Sequence, residues 1–412
     1  MEYGLIAERL GHSFSKEIHS KLADYDYELK EIAPEDLAAF MLAKEFKAIN
    51  VTIPYKADVI PYLDEIDATA KEIGAVNTIV NKNGKLFGFN TDFAGMKAMI
   101  LKSGIDIKNK KVLILGSGGT SKTAFAVAKN LGAKEILRIS RKAQNGMISY
   151  TQAHENHSDA EILINTTPCG MYPNITGCAV DVSYFENLEG VIDAVYNPLI
   201  TDFALSAKKQ GAKAVCGLYM LVAQAVFACE KFLDTKFDSA VIDKIYLDIL
   251  KSKQNIVLIG MPSCGKSTIG KSISERTSRP FYDTDCLIEE KTGKHPSVII
   301  EEQGENAFRD IESQVIKEVS AKSGSVIATG GGAILREENR DNLHKNGVLW
   351  FVDRPLENLI TTCDRPLSSN RELLKKRYDE RYTIYMSAAN YVLKGEMSIQ
   401  EATEKIIKDF GL

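Results

Sequence analysis

The chain has 412 residues, more than a single hydrophobic core usually holds, which predicts two or three domains. Hydrophobic residues make up 44% and charged residues 26%, which is typical of globular proteins rather than disordered or fibrous ones. The formal charge of -4 gives no overall basic field for nucleic acid, so anionic ligands would have to be small and held by local groups.

Several kinds of site and location are disfavoured by particular residues. The 7 cysteines are odd in number, scattered and without a CxxC pair, which argues against a disulfide framework and a zinc site. His154 and His157 form an HxxH pattern, but no third ligand cluster lies nearby in the sequence, which favours solvated histidines. Glu2, Glu8 and Arg9 would interrupt a signal peptide, and no stretch approaches the roughly 18 apolar residues of a membrane span. We expect a cytoplasmic protein without a membrane partner.

Four short polar clusters lie at turn signals in the N-terminal third. They are the segments 11–15 (GHSFS), 50–56 (NVTIPYK), 74–78 (GAVNT) and 88–92 (GFNTD). Their hydroxyls and amides, with Lys56 and Asp92, are what a site for a neutral polyol ring requires: hydrogen-bonding groups and a proton-transfer pair. Each cluster alone also fits a helix cap, a turn or an exposed lysine.

A glycine-rich turn follows the apolar run Lys111–Leu115 and precedes a helical pattern. In this context glycines let a pyrophosphate approach backbone N–H groups at a helix N-terminus. The turn departs from GxGxxG because Ser121 stands where the third glycine would be. The predicted cofactor contacts in this turn are Gly116, Ser117, Gly118, Gly119 and Thr120.

The next predicted strand ends in Ser140, Arg141 and Lys142. A site that prefers NAD would place an acidic residue there to bind the ribose 2′-hydroxyl. Two cations and a hydroxyl suit a 2′-phosphate instead, because a guanidinium can bind phosphate through two hydrogen bonds. We therefore predict NADP(H) as the cofactor of this half.

A domain boundary is predicted near residue 250. The segment 217–250 has the apolar spacing of helices, and residues 251–254 (KSKQ) are polar, which predicts a very short linker. The apolar run Ile256–Ile259 then begins a second sheet. Such runs bounded by glycine, including residues 161–164, are typical of buried parallel strands between helices. The predicted fold class is α/β in both halves.

The second glycine-rich turn, residues 260–268 (GMPSCGKST), is a full GxxxxGK[ST] motif between an apolar run and a helical pattern. In such a loop, backbone amides surround the β-phosphate, Lys266 spans the β- and γ-phosphates, and Ser267 is a ligand of Mg²⁺. The motif predicts a nucleoside triphosphate, ATP, together with magnesium. The predicted nucleotide contacts are Ser263, Cys264, Gly265, Lys266, Ser267 and Thr268.

The acceptor of the phosphoryl group would be bound by three further segments. They are 283–285 (DTD), 304–312 (GENAFRDIE) and 330–333 (GGGA). Asp283 would lie near the metal, and Asp285 would accept the proton of the attacking hydroxyl. Arg309 can bind a substrate carboxylate through two hydrogen bonds, and the glycines allow close approach of the backbone.

The N-terminal motifs, with 165–171 (NTTPCGM), 193–198 (DAVYNP) and 217–224 (GLYMLVAQ), resemble shikimate dehydrogenase over residues 1 to about 250. The resemblance implies that Lys56 and Asp92 are the catalytic pair. It implies substrate contacts at Ser13, Ser15, Thr52, Lys56, Asn77, Asp92, Tyr196 and Gln224, and a cofactor contact at Gly217. Lys16 and Ser20 replace a usual proline and asparagine, which bears on substrate preference more than on chemistry.

The C-terminal motifs resemble shikimate kinase over residues 255–412, including 365–367 (RPL) in the lid and Arg381 with Tyr385. The resemblance implies that shikimate is bound by Asp285, Arg309, Gly331 and Arg381, and that Arg365 reaches the transferring phosphoryl group. The lid segment 360–364 is shorter than usual and lacks the arginine that commonly stacks on adenine. A missing stacking cation weakens ATP binding by about 0.5–2 kcal/mol, so we expect a raised KM for ATP.

Together the two resemblances imply a bifunctional enzyme that reduces 3-dehydroshikimate and then phosphorylates shikimate. The predicted domains are a substrate-binding domain (1–95, completed by helices at about 217–250), a Rossmann-like NADP domain (96–216), the linker (251–254) and a P-loop domain (255–412) resembling nucleoside-monophosphate kinases. Two alternatives stay open: a dehydrogenase that prefers quinate and NAD, and a weakened kinase-like domain that senses nucleotide or serves assembly. The sequence does not indicate the oligomeric state.

Overall fold

A computed structural model describes residues 1–11, 13–143, 146–359 and 371–412. The chain is mixed α/β and divides into two units, Met1–Ile249 and Leu250–Leu412. None of the helices in the described ranges has the length and apolar character that crossing a membrane requires.

The first sheet of the N-terminal unit is mixed and six-stranded. Its strands are β1 (Tyr3–Ala7), β2 (Tyr27–Glu31), β3 (Ala48–Val51), β4 (Glu65–Ile66), β5 (Thr78–Lys82) and β6 (Lys85–Phe89). Its helices are α1 (Ser15–Ser20), α2 (Leu37–Ala43), α3 (Ala68–Ile73) and α4 (Thr91–Ser103). The strand order is β2-β1-β3-β5-β6-β4, with only β5 antiparallel to its neighbours. The polar segments that follow β1, β3 and β6 and precede β5 therefore meet at one edge.

The second sheet is parallel and five-stranded. Its strands are β7 (Lys111–Leu115), β8 (Glu135–Ile139), β9 (Ile162–Asn165), β10 (Gly190–Asp193) and β11 (Lys213–Cys216), in the order β11-β10-β9-β7-β8. Its helices are α5 (Gly119–Asn130), α6 (Tyr150–Asn156) and α7 (Asp202–Lys209). The apolar side chains of β7 and β9 are buried because helices cover both faces of such a sheet. This is the nucleotide-binding architecture that the glycine-rich turn predicts.

Helices α8 (Leu218–Leu233) and α9 (Ala240–Lys253) follow the second sheet. Gly95 lets α4 and α8 pack closely, since a methyl group there would lie 2.8 Å from the Met220 carbonyl oxygen and 2.9 Å from the Gln224 Cβ atom. This contact fixes the start of α4, which carries Asp92, against the turn of α8 that carries Gln224.

Helix α9 continues to Lys253, so three of the four residues predicted as a linker are helical. These residues are polar because they form a partly exposed last turn of the helix. A sequence pattern does not distinguish such a turn from a linker. Arg279 is 9% exposed, and its side chain lies at the C-terminal end of α9. It donates hydrogen bonds to the carbonyl oxygens of Lys251 and Gln254 at 2.6 Å each, which satisfies acceptors that the helix leaves unpaired.

The C-terminal unit has one parallel sheet. Its strands are β12 (Asn255–Ile259), β13 (Phe281–Asp283), β14 (Val326–Ala328), β15 (Gly347–Asp353) and β16 (Tyr391–Lys394). Its helices are α10 (Lys266–Thr277), α11 (Thr284–Thr292), α12 (Pro296–Ser320), α13 (Glu337–Asn346), α14 (Arg371–Ala388) and α15 (Ile399–Phe410). The strand order is β13-β14-β12-β15-β16. Because β13, β14 and β12 are neighbours, Asp283 at the end of β13 meets Gly330 and Gly260, which follow the other two strands, at the carboxyl edge of the sheet.

Candidate active sites

A cleft of about 770 Å³ opens at the carboxyl edges of both sheets of the N-terminal unit. It is lined by all eight predicted substrate residues and by two of the predicted cofactor residues. They are Ser13, Ser15, Thr52, Lys56, Asn77, Asp92, Tyr196 and Gln224, with Thr120 and Gly217. Segments far apart in the sequence thus contribute to one concave site.

Lys56 and Asp92 form an ion pair in this cleft, with 2.6 Å between Nζ and Oδ2. Lys56 lies in the turn after β3, and Asp92 lies in the first turn of α4, where the Asn90 side chain caps the helix by accepting the Phe93 N–H. The side chains are 15% and 11% exposed, so both remain reachable from the cleft. A lysine held by a carboxylate can transfer a proton at a defined position.

A buried polar network supports the floor of the cleft. The Tyr27 hydroxyl donates to Asn50 Oδ1 at 2.7 Å, and Asn50 Nδ2 donates to the Asn77 carbonyl at 3.2 Å and to Thr78 Oγ1 at 3.1 Å. Asn77 Oδ1 in turn accepts the Thr91 N–H at 2.7 Å. The network fixes the Asn77 amide, which lines the cleft.

Asn50 also lines the cleft and is not among the predicted site residues, although it belongs to the polar segment 50–56. The residue is the third of β3, which is buried along its length, and its contact with Tyr27 spans 23 residues of sequence. The available signal was an amide in a strand whose other residues are all apolar, since such an amide needs polar partners.

Four other predicted substrate residues are fixed by local contacts. The Ser15 N–H donates to Ser13 Oγ at 3.2 Å, and Gln224 Nε2 donates to the Leu221 carbonyl at 2.9 Å. The ring of Tyr196 packs on that of Phe14 with 5.3 Å between centroids, and burial raises the pKa of its hydroxyl. Tyr196 is therefore a neutral hydrogen-bonding group on the cleft wall.

The glycine-rich turn after β7 has the geometry that phosphate binding requires. Gly116 has φ 118°, and a methyl group there would lie 2.6 Å from Thr166 Oγ1. Gly118 precedes α5 without a side-chain cap, and Gly119 is the first residue of the helix. Ser117 and Gly118 are exposed, so an anion can approach the N-terminus of α5 closely.

Ser140, Arg141 and Lys142 directly follow β8, the strand beside β7. The Ser140 hydroxyl donates to the Lys142 carbonyl, which closes the turn, and both cationic residues are exposed. None of the three lines the cleft around Lys56. Their position at the end of the second Rossmann strand fits contact with a ribose 2′-phosphate.

Asp193 is a buried carboxylate that connects the loops after β9 and β10. It accepts hydrogen bonds from Asn165 Nδ2 at 2.9 Å, the Val195 N–H at 2.9 Å and the Thr201 hydroxyl at 2.6 Å. Burial raises the pKa of Asp193 to about 6. These loops carry Tyr196 on the cleft wall, so Asp193 fixes part of the site indirectly.

The histidines of the HxxH pattern lie away from the cleft lining. The ring of His154 stacks on that of Tyr184 with 4.4 Å between centroids. Within residues 1–11, 13–143, 146–359 and 371–412, no group of three or more His, Cys, Asp or Glu side chains is arranged to hold a metal ion.

A second cleft, of about 490 Å³, lies in the C-terminal unit and is lined by both predicted groups of residues. From the phosphate loop these are Ser263, Gly265, Lys266, Ser267 and Thr268. From the acceptor segments they are Asp283, Asp285, Arg309, Gly331 and Arg381. Cys264 is only 3% exposed and packs in the core instead of lining the cleft.

The phosphate loop has the backbone conformation that its glycines allow. Gly260 has φ 148° and Gly265 has φ 100°. Lys266 Nζ donates to the carbonyls of Gly260 and Met261 at 2.9 Å each. The Ser267 hydroxyl donates to Asp283 Oδ2 at 2.5 Å, which joins a hydroxyl and a carboxylate at the place predicted for magnesium. Hard oxygen ligands of this kind fit Mg²⁺.

The acceptor side of the second cleft is built around Arg309. Arg309 Nη1 donates to Glu312 Oε2 at 2.6 Å, and the Glu312 side chain is 1% exposed. A methyl group at Gly330 would lie 2.7 Å from Asp285 Oδ1 and 2.8 Å from Glu312 Oε1, so a larger residue there would displace one of these carboxylates. Burial raises the pKa of Glu312, although the neighbouring Arg309 opposes that shift. Glu312 was not among the predicted site residues.

Arg381 lies on α14 and donates from Nη1 to the Gly331 carbonyl at 3.1 Å, and the Tyr385 hydroxyl donates to the same oxygen. These contacts hold Gly331 between the phosphate loop and the acceptor side. Arg365 and the short lid fall within residues 360–370 and lie outside the described residues.

Comparisons with known proteins identify both halves. The family model for the shikimate dehydrogenase substrate binding domain matches residues 5–79, and the model for shikimate kinase matches residues 262–410. A shikimate dehydrogenase (NADP(+)) of Clostridium perfringens is 37% identical over 265 residues, which cover 60% of this chain and 97% of the relative.

Solved structures give the same result for the N-terminal unit. The chorismate mutase/shikimate 5-dehydrogenase fusion protein from Clostridium acetobutylicum is 37% identical with a TM-score of 0.56, covering 60% of this chain and 96% of that one. The shikimate 5-dehydrogenase from Thermus thermophilus, solved in complex with NADP(H) and shikimate, is 26% identical with a TM-score of 0.55, covering 60% and 98%. The chain therefore belongs to the shikimate dehydrogenase family and carries a shikimate kinase domain after the dehydrogenase.

Proposed function

We propose that the N-terminal unit reduces 3-dehydroshikimate to shikimate with NADPH. The ion pair of Lys56 and Asp92 inside the first cleft is the observation that carries this proposal. When bound, NADPH would supply the hydride to C3 of the ring. Lys56 delivers a proton to the C3 oxygen, and Asp92 holds the ammonium group in position for that transfer.

The remaining predicted residues of this cleft would bind the substrate and the cofactor. Ser13, Ser15, Thr52, Asn77 and Gln224 offer hydroxyl and amide groups for the ring hydroxyls and the carboxylate. On the cofactor side, the glycine-rich turn before α5 would receive the pyrophosphate, and the cationic turn after β8 would receive the 2′-phosphate.

Steady-state rates with shikimate and with quinate, each with NADP and with NAD, test the substrate and the cofactor. We expect the highest kcat/KM with shikimate and NADP. The Arg141→Ala variant should raise KM for NADP much more than KM for NAD, because only NADP carries the phosphate. Higher efficiency with quinate and NAD would contradict this assignment.

We propose that the C-terminal unit transfers the γ-phosphoryl group of ATP to the 3-hydroxyl of shikimate. The single cleft that joins the phosphate loop to Asp285, Arg309 and Arg381 is the observation that carries this proposal. Asp285 would accept the hydroxyl proton, and the two arginines would bind the carboxylate.

Ser267 and Asp283 would hold Mg²⁺, consistent with their 2.5 Å contact. When bound, magnesium neutralises phosphate charge. Lys266 would contact the β- and γ-phosphates, and Arg365 would reach the transferring group.

An ADP-release assay with shikimate tests the kinase, with Lys266→Ala as the variant. We expect shikimate-dependent ADP release that this variant loses while its dehydrogenase rate stays at the wild-type value. A variant that keeps its ADP release would count against the role assigned to the phosphate loop, and a wild type that releases none would favour a nucleotide-sensing or assembly module.

We further propose that residues 1–95 with helices α8 and α9 form the substrate-binding domain, residues 96–216 the NADP domain and residues 255–412 the kinase domain, and that the enzyme acts in the cytoplasm. Limited proteolysis followed by mass analysis tests the division between dehydrogenase and kinase. Cleavage first near residue 250 would support it.

A further inference from the structure

Among the described residues, three arginines line the kinase cleft, and one of them has no role so far. Arg309 and Arg381 are the proposed shikimate contacts, whereas Arg377 lies one turn before Arg381 on α14. Its side chain is 23% exposed, which leaves it partly accessible from the cleft. A cation in the cleft lining is expected to interact either with the ligand or with another residue of the cleft.

Glu305 connects Arg377 to Arg309. One carboxylate oxygen, Oε1, lies 3.0 Å from Arg309 Nη2, and the other, Oε2, lies 3.8 Å from Arg377 Nη2. Glu305 directly follows Gly304, whose φ of 87° and ψ of 164° interrupt α12. The kink places Glu305 at the start of the second helical segment and Arg309 one turn after it.

Both terminal nitrogens of the Arg309 guanidinium are paired with acids, whereas its buried Nε has no hydrogen-bond partner among the described residues. Its Nη1 group donates to buried Glu312, and its Nη2 group donates to Glu305. A substrate carboxylate that binds Arg309 through both terminal nitrogens would therefore take the place of one of these acids. Glu305 is the one that can leave, since its side chain is 35% exposed and that of Glu312 is 1% exposed. Once displaced, Glu305 would repel the substrate carboxylate unless another cation held it.

We propose that Arg377 is a positioning residue that holds Glu305 in an ion pair when the acceptor carboxylate binds Arg309 and displaces Glu305 from it. The inference rests on the proposed kinase function and deepens it by naming how the cleft makes room for a carboxylate. Arg377 does not contact shikimate. It acts by holding the displaced acid away from the substrate, so it affects acceptor binding and leaves phosphoryl transfer unchanged.

The first test is steady-state kinetics of Arg377→Ala with shikimate as the varied substrate, together with calorimetric shikimate binding. We expect KM and Kd for shikimate to rise about five- to tenfold, the size of one partly buried ion pair, with kcat within about twofold. Arg377→Lys should recover most of the affinity. Lys376→Ala, which removes an exposed cation one residue away outside the cleft lining, is the matched control and should bind like wild type.

The decisive test adds Glu305→Gln. A neutral glutamine does not repel the substrate carboxylate, so Glu305→Gln/Arg377→Ala should return KM toward the wild-type value, and Glu305→Gln alone should lower KM. A double variant that keeps the full Arg377→Ala defect would overturn the proposal, because Arg377 would then contact the acceptor itself or act through the fold. An unchanged KM in Arg377→Ala would also overturn it. A wild-type enzyme that does not phosphorylate shikimate would instead refute the kinase function itself.

Discussion

Lys56 is the residue whose removal should separate chemistry from binding most clearly in the dehydrogenase. Lys56→Ala leaves Asp92 in place but deletes the proton donor, so we expect kcat for dehydroshikimate reduction to fall about 10²–10⁴-fold. The kinase rate of the same preparation is the internal control and should be unchanged. A kcat within tenfold of wild type would contradict the assigned role.

Asp193 should give the N-terminal unit a specific pH dependence. Its pKa of about 6 in the folded state lies above the ordinary value of 3.8, so between these pH values the folded state binds more protons than the unfolded state. The free energy of unfolding should therefore fall as pH rises from about 4 to about 6, by roughly 3 kcal/mol from this group.

The matched measurement compares wild type with Asp193→Asn by urea unfolding across that pH range. The asparagine keeps the shape and several hydrogen bonds but cannot ionise, so the variant should lack this loss of stability. The difference between the two unfolding free energies should shift in favour of the variant as pH rises. A difference that stays constant from pH 4 to 7 would contradict the buried, ionisable role of Asp193.

At the scale of single residues, the motif residues of the two clefts could be predicted from the sequence. The residues that hold them in place could not. Lys56 and Asp92 lie in short clusters whose residue types indicate hydrogen bonding and proton transfer. Asn50, Glu312 and Arg377 contribute through contacts that exist only once strands or helices are packed, such as the hydrogen bond of Tyr27 to Asn50. A local pattern can indicate that a buried amide such as Asn50 needs polar partners, but it does not identify those partners.

At the scale of helices, the packing of α4 on α8 determines where Asp92 and Gln224 meet. Gly95→Ala adds a methyl group 2.8 Å from the Met220 carbonyl oxygen, so the helices must move apart. We expect the N-terminal unit to lose about 1–3 kcal/mol of stability and kcat/KM to fall, whereas alanine in an unobstructed helix would add up to about 1 kcal/mol. Thermal unfolding with dehydrogenase kinetics checks this. A stabilised variant with wild-type kinetics would contradict the close contact.

The elements themselves were predictable where apolar runs are continuous, as in β7 and β12, because parallel strands covered by helices need no polar residues. The last turn of α9 was predicted as a linker, because polar residues are common both in linkers and in exposed helix ends. The break in α12 at Gly304 was also not predicted. Glycine occurs in many helices and turns, and only the packed structure shows where φ is positive.

At the scale of the whole chain, the dehydrogenase and the kinase are related by their chemistry. Reduction of 3-dehydroshikimate creates the 3-hydroxyl that the kinase would phosphorylate, so the proposed product of the first cleft would be the acceptor of the second. We expect the two sites to work independently on one polypeptide.

The most direct test of this account is incubation of the intact chain with 3-dehydroshikimate, NADPH, ATP and magnesium, followed by mass analysis over time. We predict that shikimate appears first and shikimate 3-phosphate accumulates after it, that Lys266→Ala stops at shikimate, and that Lys56→Ala forms almost none of either product. Absence of shikimate 3-phosphate from the wild-type reaction would contradict the central claim that one chain carries both consecutive activities.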